Sequence, residues 1–187
     1  WGTSLNCEEN WAGYFKRPID PDNANRTAVG GNTAKSVEAL RRYGVTSGTG
    51  SNGWSTVTAS NPANTLFRRW NATVDTAAPA DGTGDFRNEP NQFGWVVEID
   101  PYSPTSTPRK RTALGRMGHE GAWPSRFVSG VKPAFYTGDD SRGEYLYKFV
   151  SAAAWDPADA NRSDRLAVGD KYLDNGTLHV AKFNADG

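Results

Sequence analysis

Short β-forming segments, each cut off by a turn residue, constrain the fold of this chain more than any other feature. The run Gly94–Asp100 (GWVVEID) is rich in strand formers and is stopped by Pro101. Ala134–Thr137 (AFYT) leads into the polar turn Gly138-Asp139-Asp140-Ser141. Glu144–Val150 (EYLYKFV) alternates along its length, so Tyr145, Tyr147 and Phe149 share one face. Gly176–Phe183 (GTLHVAKF) precedes a last turn. Abundant Gly and Pro beside many aromatics (20 Gly, 11 Pro, 7 Trp) suit such a pattern and do not suit a helix bundle.

A turn, then Gly or Glu, then Leu, then Phe, occurs at both Glu144–Phe149 and Gly176–Phe183. Loose repetition of this kind is what propeller blades leave in a sequence, although the period here is irregular. The expectation is an all-β chain, a fragment of a larger β-propeller, with short helical insertions. One helix is predicted with Asn32 or Thr33 as cap and Ala34, Val37, Leu40 and Arg41 at helical spacing, ending at Gly44. A shorter one is predicted over Thr65–Trp70, and the stretches Gly44–Asn61 and Thr76–Asn91 read as long surface loops. Residues 1–187 read as a single domain. The chain lacks an initiator Met and opens on Trp1-Gly2-Thr3, which reads like the inside of a strand, so an excerpt of a longer protein is expected.

Charge narrows the function classes. Lys plus Arg and Asp plus Glu number 21 each, so the basic excess that nucleic-acid binders use against phosphate is missing. The cluster Arg109-Lys110-Arg111 reads as a solvated strand edge. No run is long and apolar enough to span a membrane. Cys7 is the only cysteine, which excludes an internal disulfide and a four-thiolate zinc site, and His119 and His179 are too few for a histidine-rich dimetal site.

Four segments could carry chemistry. In Leu5–Asn10 (LNCEEN), Cys7 is followed by two carboxylates, which oppose thiolate formation unless a metal ion supplies the missing positive charge. The alternative is a small buried thiol. Alternation puts Cys7 and Glu9 on one face and Glu8 on the other. In Val97–Pro101 (VEIDP), Glu98 interrupts an apolar strand and is either a ligand, one half of an ion pair or an exposed residue, while Asp100 before Pro101 is a turn residue. Gly115–Gly121 (GRMGHEG) brackets His119-Glu120 with glycines and is either a ligand loop or a structural turn; it lacks the second histidine of a zincin. Gly138–Glu144 (GDDSRGE) gathers three carboxylates and Arg142 in one turn, which either holds a hard cation and a phosphate or is a solvated hairpin end. His179, amid apolar strand residues, reads as structural.

Five stretches, in order, are similar to the PhoX family of bacterial alkaline phosphatases: Trp1–Asn10 (WGTSLNCEEN), Phe93–Pro101 (FGWVVEIDP), Thr112–Ala122 (TALGRMGHEGA), Ala134–Phe149 (AFYTGDDSRGEYLYKF) and Leu166–Gly187. The resemblance implies a β-propeller that hydrolyses small-molecule phosphate monoesters in the periplasm or outside the cell, using Ca2+ and Fe3+. It implies Cys7 as the iron-binding thiolate, Glu98 and Glu144 as metal ligands, and Arg142 as the residue facing phosphate. Glu8 and Glu120 are weaker ligand assignments, and Asp139 and Asp140 weaker still. Two other readings compete: a calcium-dependent propeller hydrolase of the lactonase type, and a non-enzymatic propeller stabilised by calcium.

Overall fold

The computed structural model describes residues 1–17 and 39–185. Its contacts divide the chain into two compact units, Trp1–Glu9 with Gly94–Gly187, and Asn10–Phe93. No helix among the described residues is long and apolar enough to cross a membrane.

The first unit is built on two antiparallel sheets. One has the order β1 (Ser4–Cys7), β2 (Val96–Ile99), β3 (Arg109–Lys110). The other is a meander of β4 (Trp123–Pro124), β5 (Ala134–Gly138), β6 (Leu146–Ser151) and β7 (Gly176–Val180). All four expected strand segments are present, each a residue or more different in its bounds from the sequence reading. The register explains the core. Phe135 pairs with Phe149, which pairs with Leu178, so one face of the meander presents a row of apolar side chains. In the other sheet Cys7 pairs with Val96 and Leu5 with Glu98. Val96, Leu114, Phe135, Phe149 and Leu173 form the buried cluster, with Leu5, Cys7 and Leu178 packed against it.

A helix over Arg165–Leu173 completes this unit, and the sequence reading contains no counterpart to it. Leu166, Val168, Gly169, Tyr172 and Leu173 are its buried positions. Gly169 is there for space: a Cβ would collide with the carboxylate of Glu98 and the guanidinium of Arg111. A second cluster of Trp155, Val168 and Tyr172 packs with Trp1, whose ring centroid lies 5.7 Å from that of Tyr172. Gly115 takes φ +92° at the end of the 3₁₀ turn Thr112–Leu114, where any side chain would meet Leu178 and Met117.

Among its described residues the second unit contains short 3₁₀ turns at Trp11–Tyr14, Trp54–Thr56, Leu66–Trp70 and Glu89–Gln92. Trp11, Phe15, Leu40 and Val45 are its buried core, against which Tyr14, Tyr43, Trp70 and Phe93 pack. The predicted Thr65–Trp70 helix is a 3₁₀ turn with Thr65 as its N-cap. Residues 39–42 are helical and end at Gly44 with φ +93°, as the first predicted helix requires at its C-terminus. The expected caps Asn32 and Thr33, with Ala34 and Val37, lie outside the described residues.

One surface assignment is corrected. Arg109 and Lys110 are exposed on the edge strand β3, but Arg111 is 1% exposed. The strand stops before it, and the 3₁₀ turn Thr112–Leu114 follows directly, so its side chain meets acids in the interior instead of water.

Candidate functional site

Three of the four segments singled out in the sequence meet in the first unit. His119 and Asp139 form an isolated antiparallel bridge, tying the Gly118–Glu120 loop to the turn that follows β5. Glu120 N–H donates to Gly138 O (3.3 Å), and Asp140 N–H donates to Gly118 O (3.2 Å). From the other side, His119 N–H donates to Glu8 O (3.3 Å), just beyond the end of β1. The backbone therefore delivers acids from three separate elements to one place. Among the described residues, the carboxylate oxygens of Glu9, Glu120 and Asp140 lie within 4.8 Å of one another.

The electrostatics of this cluster are unfavourable without a counter-ion. The charge of Asp140, then loss of hydration, then the charge of Glu9 push the Glu120 carboxyl above its ordinary value. Oxygen donors at this spacing fit a hard cation such as Ca2+, which accepts carboxylates in flexible geometry. Arg142 sits two residues beyond Asp140 in the same turn, exposed, with no ion pair among the described residues. Glu144 closes that turn, half-buried, its N–H donating to Ser141 O at 3.1 Å. Asp139 is held by its own turn, Oδ1 accepting from Ser141 N–H at 3.1 Å.

The remaining expected ligands occupy other surroundings. Glu8 Oε2 accepts from the N–H groups of Gly94 and Trp95, both at 3.0 Å, and its Oε1 lies 4.0 Å from Lys110 Nζ. Cys7 is half-buried against the apolar cluster, and burial raises its thiol pKa. It is the only thiol in the chain.

Glu98 is fully buried. Its Oε1 accepts from Trp1 Nε1 (2.7 Å) and Thr3 Oγ1 (2.5 Å), and its Oε2 accepts from Arg111 Nε (2.7 Å). Arg111 also reaches Asp170 (2.7 Å), Asp174 (2.8 Å) and the Leu166 carbonyl (2.9 Å). Burial opposes the charge on Arg111, but the bond to Asp170 and the charge of Glu98 outweigh it and raise its pKa. The ion-pair alternative for Glu98 is therefore realised.

His119 is also fully buried, with Nδ1 2.8 Å from Thr137 Oγ1 and Nε2 3.0 Å from the Gly115 carbonyl. Burial lowers its pKa, so it is a neutral structural imidazole. His179 pairs with Lys148 on the exposed face of β7. Asp100 makes the expected turn, Oδ1 accepting from Tyr102 N–H at 3.0 Å. Sequence reasoning passes over Glu9 as a ligand; the consecutive acids Glu8-Glu9 at a strand end were the available signal.

No curated protein matches the chain. A solved structure of PhoX from Pseudomonas fluorescens, in complex with vanadate as a transition-state analogue, is similar to it at 35% identity with a TM-score of 0.66. That similarity covers 99% of this chain and 25% of the other, so the chain spans about a quarter of the length of the PhoX that it matches. The family model described as alkaline phosphatase PhoX matches residues 1–187. The chain belongs to the PhoX alkaline phosphatase family.

Proposed function

We propose that this chain is part of a metal-dependent alkaline phosphatase that hydrolyses small phosphate monoesters in the periplasm or outside the cell. In this reading its sheets are blades of a larger β-propeller, and its cofactor ions are Ca2+ and Fe3+. The observation that carries the proposal is the convergence of Glu9, Glu120 and Asp140 on one point, with the Arg142 guanidinium in the same turn.

Each group has a defined task. Glu9, Glu120 and Asp140 would hold Ca2+ through hard oxygen donors, and Glu144, in the same turn as Asp140, is a further candidate. Cys7 would serve Fe3+ once that ion takes the place of its proton. Glu8 would join the set through Oε1, its Oε2 being held by the Gly94 and Trp95 amides, and Glu98 only by sharing its carboxylate with Arg111. Bound cations supply neutralisation of the phosphate oxygens and Lewis-acid activation. Arg142 binds two phosphate oxygens through its fork of N–H donors and stabilises the charge that develops on them in transfer. The backbone bridge between His119 and Asp139 holds the Glu120 loop against the turn that carries Arg142, which would let a bound cation and the guanidinium face one phosphate.

The test is p-nitrophenyl phosphate hydrolysis by the full-length protein loaded with Ca2+ and Fe3+. Wild type turns over and a chelator abolishes it, while Arg142→Ala loses on the order of 10²-fold in kcat/KM. No turnover by the loaded wild type, or an Arg142→Ala variant of undiminished activity, would overturn the assignment. Lactone hydrolysis without phosphate release would favour the competing hydrolase reading.

A further inference from the structure

We propose that His119 and Thr137 form a positioning clamp that sets the spacing of the carboxylate cluster without either residue touching the ion. The proposal rests on the reading of Glu9, Glu120 and Asp140 as a cation site. It begins from hydrogen-bond direction. The Gly115 carbonyl can only accept, so His119 Nε2 carries the proton and donates to it at 3.0 Å. Nδ1 is then an acceptor, and the Thr137 hydroxyl donates to it at 2.8 Å. The ring is fully buried and Thr137 is 4% exposed, so the bond between them is shielded from water.

This imidazole joins two parts of the fold that carry different ligands. Gly115 ends the Thr112–Leu114 turn, and Thr137 belongs to β5, which leads through Gly138 to Asp139 and Asp140. The backbone of His119 is pinned to Glu8 O, next to Glu9, and its chain neighbours are pinned to Gly138 and Asp140. Turning or loosening the ring therefore moves Glu120 relative to both of its acidic partners. The three carboxylates lie within 4.8 Å of one another and carry charge of one sign, so a relaxed loop lets the cluster open. A histidine serving only as core filler would have no such link, and its loss would lower stability without selectively changing ion affinity.

The experiment is Tb3+ luminescence titration of the full-length protein, comparing wild type with Thr137→Val, Thr137→Ser and Glu120→Gln, with melting temperature measured alongside. Thr137→Val keeps shape and removes the donor; it is expected to weaken the Tb3+ binding that Glu120→Gln abolishes by roughly tenfold. Thr137→Ser restores the hydroxyl and is expected to bind as wild type does. If Glu120→Gln loses Tb3+ while Thr137→Val binds like wild type, the clamp is wrong and the cation site stands. If wild type binds no Tb3+ that Glu120→Gln removes, the cation reading itself fails. Should Thr137→Val not fold, the imidazole ¹⁵N spectrum of wild type decides: a proton on Nε2 supports the clamp, and one on Nδ1 overturns it.

Discussion

Replacing Arg111 by Met tests the buried ion-pair network of the first unit. Arg111 and Glu98 are 1% and 0% exposed at the side chain, whereas Asp170 and Asp174 are 37% and 43% exposed. Arg111→Met leaves the two partly exposed acids in contact with water and leaves Glu98 a buried charge with no cation. Breaking a buried pair in this way costs about 3–5 kcal/mol, a large share of the roughly 5–15 kcal/mol that holds a domain folded. Adding Glu98→Gln to that variant removes the unpaired charge while leaving an oxygen for Trp1 and Thr3 to donate to. The same Glu98→Gln change in wild type removes a good partner from Arg111 and destabilises. Its sign therefore reverses with background: destabilising alone, and stabilising by about 2 kcal/mol in the Arg111→Met variant, worth roughly 4–8 °C in a chain of this size. Denaturant unfolding of the four proteins at neutral pH measures the cycle. Additive effects, with Glu98→Gln destabilising in both backgrounds, would refute the claim that Arg111 neutralises Glu98.

Gly169→Ala, which in an ordinary helix interior gains up to about 1 kcal/mol, is expected to cost about 1–3 kcal/mol here, because the new methyl meets the Glu98–Arg111 pair; thermal melting shows the sign. Glu120, whose folded pKa is raised, contributes stability that is present below its unfolded pKa and is lost as pH rises through the folded value. In chelator at neutral pH, Glu120→Gln should therefore melt above wild type, with the gap closing in acid; an unchanged gap contradicts the repulsion. Cys7, its pKa raised by burial, should react with iodoacetamide at neutral pH more slowly than free cysteine in chelator-treated protein, and a faster rate would place a cation beside it.

The strands were legible because their signal is local. Val96–Ile99 is a run of β-formers stopped by Asp100-Pro101, Ala134–Gly138 lies between Pro133 and Asp139, and Leu146–Ser151 is a β-forming run soon after the turn at Gly143. The Arg165–Leu173 helix was hidden because Gly169 and Val168 depress propensity in a nine-residue element, and the reason for the glycine is the distant Glu98–Arg111 pair. Tertiary context also reversed the reading of Arg111, which shares a basic run with two exposed neighbours yet is drawn inward by Glu98. The site shows the same division. The acids clustered in Gly138–Glu144, and Glu120 within Gly115–Gly121, were visible as candidates. That Glu9 rather than Glu8 joins them depends on where β1 stops and on the Gly94 and Trp95 amides capturing Glu8, which no spacing rule contains.

Crystals of the full-length protein soaked in Ca2+, with anomalous difference density collected at long wavelength, test the convergence of the three acids directly. The account predicts a peak with oxygens of Glu9, Glu120 and Asp140 about 2.3–2.6 Å away. Ordered water in that position, in a crystal that takes up Ca2+ elsewhere, would contradict it.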